Sequence, residues 1–157
     1  MQTRLLIILI LLISCNSTAT NTNEIPDFNI LLTDSSNFKT SSIPQGNPVA
    51  FVFFHPECDE CQNETRDIIN NIDKLKKINF YFISVASFKD IKSFKEQFGL
   101  TKYSNIVVGK DNMFSFPKFF EDANKIPFIA IFNRERKLKL ILKGGFNADE
   151  VLEELKK

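Results

Sequence analysis

The chain has 157 residues, with 20 basic and 19 acidic side chains, 17 phenylalanines and no tryptophan. That length suits one ordinary domain with enough apolar volume for a core. The balanced charge excludes the basic excess or stripe that nucleic-acid binding normally shows.

The amino terminus reads as a leader. Arg4 supplies a short positive region, and Leu5 to Ile13 is unbroken apolar sequence. The stretch is shorter than the roughly 20 residues a spanning helix needs, and it suits a secretory signal over residues 1–14. Leu12-Ile13-Ser14-Cys15 resembles the bacterial lipobox. The resemblance implies cleavage after Ser14 and lipid on the Cys15 sulfur, and acyl chains add roughly 0.8 kcal/mol of membrane affinity per buried CH₂. Residues 15–23 are small and polar without periodicity and read as a flexible tether, leaving residues 24–157 as the domain.

Phe28 to Leu32 is the first candidate strand, followed by a polar, turn-rich stretch through Asn37. Gly46-Asn47-Pro48 punctuates the chain before Val49 to Phe54, a strand apolar on both faces, as a central strand should be. His55-Pro56 ends it, and Cys58-Asp59-Glu60-Cys61 opens a helix expected to run to about Lys77. The helix's inward stripe is Cys61, Thr65, Ile68, Ile72 and Leu75. Cys61 therefore faces the core, and Cys58 sits at the helix mouth.

A strand, then C-x-x-C, then a helix is a redox context. Two cysteines at this spacing can close a small reversible disulfide, and a helix N-terminus favours the thiolate that exchange requires. The stripe gives one exposed attacking sulfur and one shielded resolving sulfur. If Cys15 carries lipid, Cys58 and Cys61 are the remaining cysteines of the chain. With the single histidine, His55, they make at most three ligands, short of a structural zinc site. Neither a metal nor a cofactor is expected.

Further along, Phe80 to Val85 is a strand, and Phe88, Ile91, Phe94 and Phe98 mark a helix face that Gly99 can stop. Ile106 to Val108 is a short strand, while Met113 to Phe120 fits a helical turn or a loop. Pro127 to Phe132 and Lys137 to Leu142 form a hairpin, Gly144-Gly145 breaks the chain, and Asn147 with Glu150 caps a last helix. The core order β-α-β-α-β-β-α predicts an α/β domain whose mixed sheet carries helices on both faces.

This order, with C-x-x-C after a central strand, resembles the thioredoxin-like superfamily. It is most similar to the membrane-tethered TlpA and ResA branch and the redoxins of Bacteroidetes. The matching pieces are Ile25-Pro26-Asp27-Phe28, the segment from Phe53 to Glu64, and Ile126-Pro127-Phe128. The resemblance implies that Cys58 is the nucleophile and Cys61 the resolving thiol. It also implies that Pro127 is a cis-proline beside the disulfide and that Ile126 offers backbone hydrogen bonds to an extended substrate. Pro56-Glu57 replaces the usual tryptophan, and Val52 stands where thioredoxin keeps a buried acid. Glu57 and Glu64 read as solvated carboxylates, His55 as a strand-end residue, and the lysines near the carboxyl end as solvated surface. The threonine expected before a peroxidatic cysteine is absent, as are the cysteine spacing and distant histidine of copper-delivery relatives.

The reading is a lipid-anchored thiol–disulfide oxidoreductase of the cell envelope, a monomer facing the periplasm or the exterior. Its partners are cysteine-containing protein substrates and an upstream thiol electron donor. The alternative is a non-catalytic thioredoxin-like binding or scaffold lipoprotein with a stable disulfide. Asp59 and Glu60 oppose negative charge on Cys58. That predicts a reducing couple nearer thioredoxin's, about −270 mV, than the about −120 mV of the fold's strong oxidants.

Overall fold

The computed structural model describes residues 23–157. The leader, Cys15 and nearly all of the tether lie outside the described residues. The strands are β1 (Asn29–Leu32), β2 (Asn37–Lys39), β3 (Val49–Phe53), β4 (Asn79–Ser84), β5 (Ile106–Lys110), β6 (Phe128–Phe132) and β7 (Leu138–Leu142). The helices are α1 (Asp59–Asn70), α2 (Phe88–Gln97), α3 (Ser115–Phe119) and α4 (Ala148–Glu154). No described helix is long and apolar enough to cross a membrane.

All the strands join one mixed sheet in the order β2-β1-β5-β4-β3-β6-β7. Strands β3, β4 and β5 are parallel, as crossovers through α1 and α2 require, whereas β6 runs antiparallel beside β3 and β7 antiparallel beside β6. Every residue of β3 and β6 is buried. Continuous burial explains their unbroken apolar sequences, since both faces of these strands are covered. One face packs Ala50, Val52, Phe80 and Phe82 against Cys61 and Ile68 of α1, Ile91 and Phe94 of α2, and Val151 of α4. The other packs Phe51, Phe53, Ile83 and Phe128 against Phe116 of α3 and the turn carrying Phe120 and Ala123.

Several local expectations change or are narrowed. Helix α1 stops at Asn70 rather than near Lys77. The Asn71 side chain donates to the Asp67 carbonyl at 2.9 Å, a local bond that competes with helix continuation. Successive turns then carry Leu75 inward to full burial. Strand β2 begins at Asn37, the last residue of the stretch read as turn. Asp34 accepts from the Ser36 amide at 2.9 Å and Ser35 takes a positive φ of 70°, so the polar residues form a tight hairpin back onto β1. Met113 to Phe120 contains the short helix α3. Strand β5 also runs on through Gly109, where a β-carbon would lie 2.4 Å from the Ile30 side chain, so close approach to β1 needs glycine.

Candidate active site

Strand β3 delivers the chain through buried Phe54 to His55-Pro56-Glu57, and Cys58 takes the N-cap position of α1. An N-cap residue is extended while its side chain accepts from the first helical amides. Cys58 has φ −83° and ψ 114°, and its Sγ accepts the Cys61 amide at 3.2 Å. The approach is held from both sides. The Cys58 amide donates to the His55 carbonyl at 3.1 Å, and the Gln62 side-chain amide donates to the Pro56 carbonyl at 2.9 Å. His55 Nδ1 accepts the Glu57 amide at 3.3 Å, so the one histidine shapes this turn.

The two sulfurs occupy different environments. Cys58 is half-buried, while Cys61 is 1% exposed; both are free thiols. Burial pushes the Cys61 thiol far up, and its hydrogen bond with Cys58 pushes the same way. Cys61 is therefore the proton-holding member of the pair. Thr65, one turn on, donates its hydroxyl to the Cys61 carbonyl at 2.7 Å and keeps this buried segment satisfied.

The Ile126–Pro127 peptide is cis. Phe53 pairs with Phe128 across β3 and β6, so Ile126 and Pro127 enter β6 at the pole where β3 hands over to the cysteines. A cavity of about 410 Å³ lies beside them, lined by Ile126, Pro127, Glu60, Glu64, Asp67 and Lys143. The structure thus gathers Cys58, Cys61, Ile126 and Pro127 at one pole.

Glu64 departs from its expected role. It is 5% exposed, and both carboxylate oxygens lie 3.0 Å from the Phe146 amide. Burial raises its pKa above the ordinary 4.5, although the Phe146 amide pulls the other way. The carboxyl fastens α1 to the segment between β7 and α4, where Gly144 and Gly145 adopt φ of 89° and 70°. Sequence reading passed over this because the amide donor lies 82 residues away. Its position on the stripe side of α1, one turn beyond Cys61, was the available signal. Glu57 is exposed, as read. Among the described residues no three His, Cys, Asp or Glu side chains are placed to hold a metal ion.

Solved structures share this architecture. A candidate electron transfer protein from Aquifex aeolicus VF5 matches with a TM-score of 0.70 at 18% identity, over 85% of this chain and 91% of its own. A secreted Mycobacterium tuberculosis disulfide oxidoreductase, homologous to E. coli DsbE, matches with a TM-score of 0.66 at 16% identity, over 82% and 94%. Mycobacterium tuberculosis DsbF matches with a TM-score of 0.68 at 17% identity, over 82% and 92%. At these identities the likeness is one of fold, and the fold is thioredoxin-like. Comparison with curated protein sequences finds no match. The AhpC/TSA family model matches residues 22–139. With most of its length covered by that match, the chain belongs to the AhpC/TSA family.

Proposed function

We propose that this protein is a thiol–disulfide oxidoreductase that reduces disulfides of other proteins outside the cytoplasm, held on a membrane by lipid on Cys15. The observation that carries the reading is the unequal sulfur pair at the mouth of α1. Cys58 is reachable and faces an amide donor; Cys61 is buried and keeps its proton. The AhpC/TSA family and the thioredoxin-like fold support the same chemistry. The membrane and envelope parts rest on Leu12-Ile13-Ser14-Cys15 and the leader before it.

In the proposed cycle the Cys58 sulfur, as thiolate, attacks one sulfur of a substrate disulfide. The substrate S–S bond breaks, one substrate thiolate leaves, and a mixed disulfide forms. Cys61 then yields its proton to base, and its sulfur attacks Cys58 Sγ. The second substrate thiolate leaves and is protonated, and Cys58–Cys61 becomes a disulfide. Two electrons and two protons have passed to the substrate. An upstream thiol donor restores the dithiol by the reverse exchange. The backbone of Ile126 holds the substrate strand beside the cis-proline. Asp59 and Glu60, both exposed in the first turn of α1, disfavour negative charge building up between the cysteines and tilt the pair toward giving electrons.

The test uses Cys61→Ser, which lacks the resolving sulfur. Expressed in envelope-bearing cells, this variant should accumulate mixed disulfides that dithiothreitol releases, and Cys58→Ser should accumulate none. Equal adduct levels in the two variants would overturn the assignment of Cys58 as nucleophile. Cys15→Ala should leave the leader uncut or free the protein from membranes. A variant processed and fractionated like the parent would remove the lipid anchor.

A further inference from the structure

We infer that the pole opposite the cysteines is a docking face for an anionic phospholipid surface, so that the domain stands on its own anchoring membrane with Cys58 turned toward the aqueous space. The inference rests on the lipid anchor at Cys15 proposed above and adds the pose that the anchored domain takes. Two independent observations meet at this pole: the chain enters the fold there, and unpaired cations gather there.

The entry point is fixed by contacts. Glu24 forms an antiparallel bridge with Lys137, and their side chains make an ion pair. The Leu138 amide donates to the Asn23 carbonyl at 2.8 Å. Leu138 pairs with Phe132, and Phe132 pairs with Val49 at the start of β3, whereas Cys58 lies beyond Phe53 at its end. Strand β3 advances about 3.3 Å per residue between these two levels, and the turn at His55 to Glu57 carries Cys58 further on. The chain therefore joins the domain at the end of the sheet away from the cysteines. The residues from Cys15 to Asn23 reach at most about 29 Å when fully extended. A domain of this length is about 35 Å across, so lipid on Cys15 keeps this pole close to the bilayer.

The same pole collects positive charge. A cavity of about 450 Å³ between the β6–β7 turn and the end of α4 is lined by Arg134, Lys139, Lys156 and Lys157, with Glu135 and Leu155. Lys76 and Lys77 are exposed just before β4, whose Asn79 pairs with Val49 at the same level. Among the described residues no carboxylate pairs with Arg134, Lys139, Lys76 or Lys77. Lys156 and Lys157 pair with Glu153 and Glu154 at the same helix end, exposed contacts that compete weakly with a lipid phosphate. The turn that carries Arg134 is held in place. Arg136, at a φ of 64°, donates to the Ile43 carbonyl at 2.9 Å and the Thr40 carbonyl at 3.3 Å. Around Cys58 the sign reverses, with Glu57, Asp59 and Glu60 all exposed. An anionic surface thus attracts one end of the domain and repels the other. Each basic side chain near such a surface strengthens binding about fivefold, and the short reach to the anchor raises the local concentration of headgroups.

The test footprints lysines on the lipidated protein, purified from membranes and reconstituted into vesicles of phosphatidylcholine alone or mixed with phosphatidylglycerol. A water-soluble acetylating ester labels the lysines, and mass spectrometry reads each rate. With phosphatidylglycerol present, Lys76, Lys77 and Lys157 should be labelled about tenfold more slowly than on phosphatidylcholine alone. Lys125 and Lys143, on either side of Ile126 and Pro127, should keep their rates. The protection should vanish at about 1 M salt, where charges are screened within about 3 Å. Arg134→Gln combined with Lys139→Gln and Lys156→Gln should also lose it, since three charges are worth about a hundredfold. That variant should reduce hydroxyethyl disulfide in detergent at the parent's rate. Equal labelling on both vesicles, or protection centred on Lys125 and Lys143, overturns the docking face and leaves the anchor standing. A purified protein whose intact mass lacks diacylglycerol on Cys15 overturns the anchor and the pose with it. Protection of the same lysines in detergent without vesicles would give the face to a second copy and overturn the assignment.

Discussion

The two faces of the sheet solve different problems. The face under α1, α2 and α4 buries polar and reactive groups among aliphatic and aromatic residues: Cys61, Glu64 and Thr65 are all under 6% exposed. Each has a partner, and among the described residues no buried side-chain nitrogen or oxygen is left without one. The opposite face has little helix to cover it and relies on phenylalanine. Phe116 alone meets Phe28, Phe51, Phe53, Phe120 and Phe128 with ring centroids between 4.8 and 6.3 Å. The first face places the thiol chemistry. The second makes a stiff support from which the loop carrying Met113 and Phe114 projects.

The strongest way to break the contrast is to hollow the aromatic face. Phe116→Ala removes a fully buried ring at its centre, and such truncations cost about 3–5 kcal/mol. Urea denaturation should show that loss, and at denaturant-free equilibrium the surviving folded fraction should still reduce hydroxyethyl disulfide. A smaller effect is expected from Asp111→Ala, which strips a buried acceptor from the amides of Met113 and Phe116. Unpaired buried donors cost about 1–3 kcal/mol, and the same denaturation curves would register it. Asp111→Asn retains one acceptor oxygen and should lose less.

On the reactive face the smallest effect is the most specific. The Glu64 carboxyl has its pKa raised in the folded state, so the folded protein binds more protons than the unfolded chain above the ordinary value of 4.5. Its contribution to stability is fullest below that value and is lost as pH rises through the raised one. Glu64→Gln is neutral at every pH and retains an oxygen for the Phe146 amide. The difference in stability between parent and variant should therefore shift in the variant's favour from pH 4 to pH 8. A difference that stays constant, or moves the other way, would mean that the carboxyl is not held out of water.

Much of this was legible in the sequence because the signals were local. The runs in β3, β4 and β6, the stripe through Cys61, Thr65 and Ile68, and the stop at Gly99 all report on residues a few positions apart. Gly99 has a φ of 61° immediately beyond α2, and the Asn147 side chain accepts from the amides of Asp149 and Glu150 at the head of α4. What was illegible depends on distant partners. The burial of Glu64 needs Phe146, the extension of β5 through Gly109 needs β1, and β2 carries a single apolar residue, Phe38, too little for a period to show. The exposure of Met113 and Phe114 was hidden for the same reason: their stretch fits a helical turn or a loop, and the Asp111 carboxylate that fixes it forms its bonds only in the fold.

The central claim is that Cys58 and Cys61 form a cycling pair with unequal sulfurs. Equilibration of the parent in glutathione buffers of graded potential, followed by rapid alkylation and peptide mapping, tests it most directly. The account predicts a two-electron transition between dithiol and a Cys58–Cys61 disulfide, with a midpoint nearer about −270 mV than about −120 mV. In the reduced protein Cys58 should be labelled before Cys61. A pair that stays in one state across the whole series, or a Cys61 labelled as fast as Cys58, would contradict it.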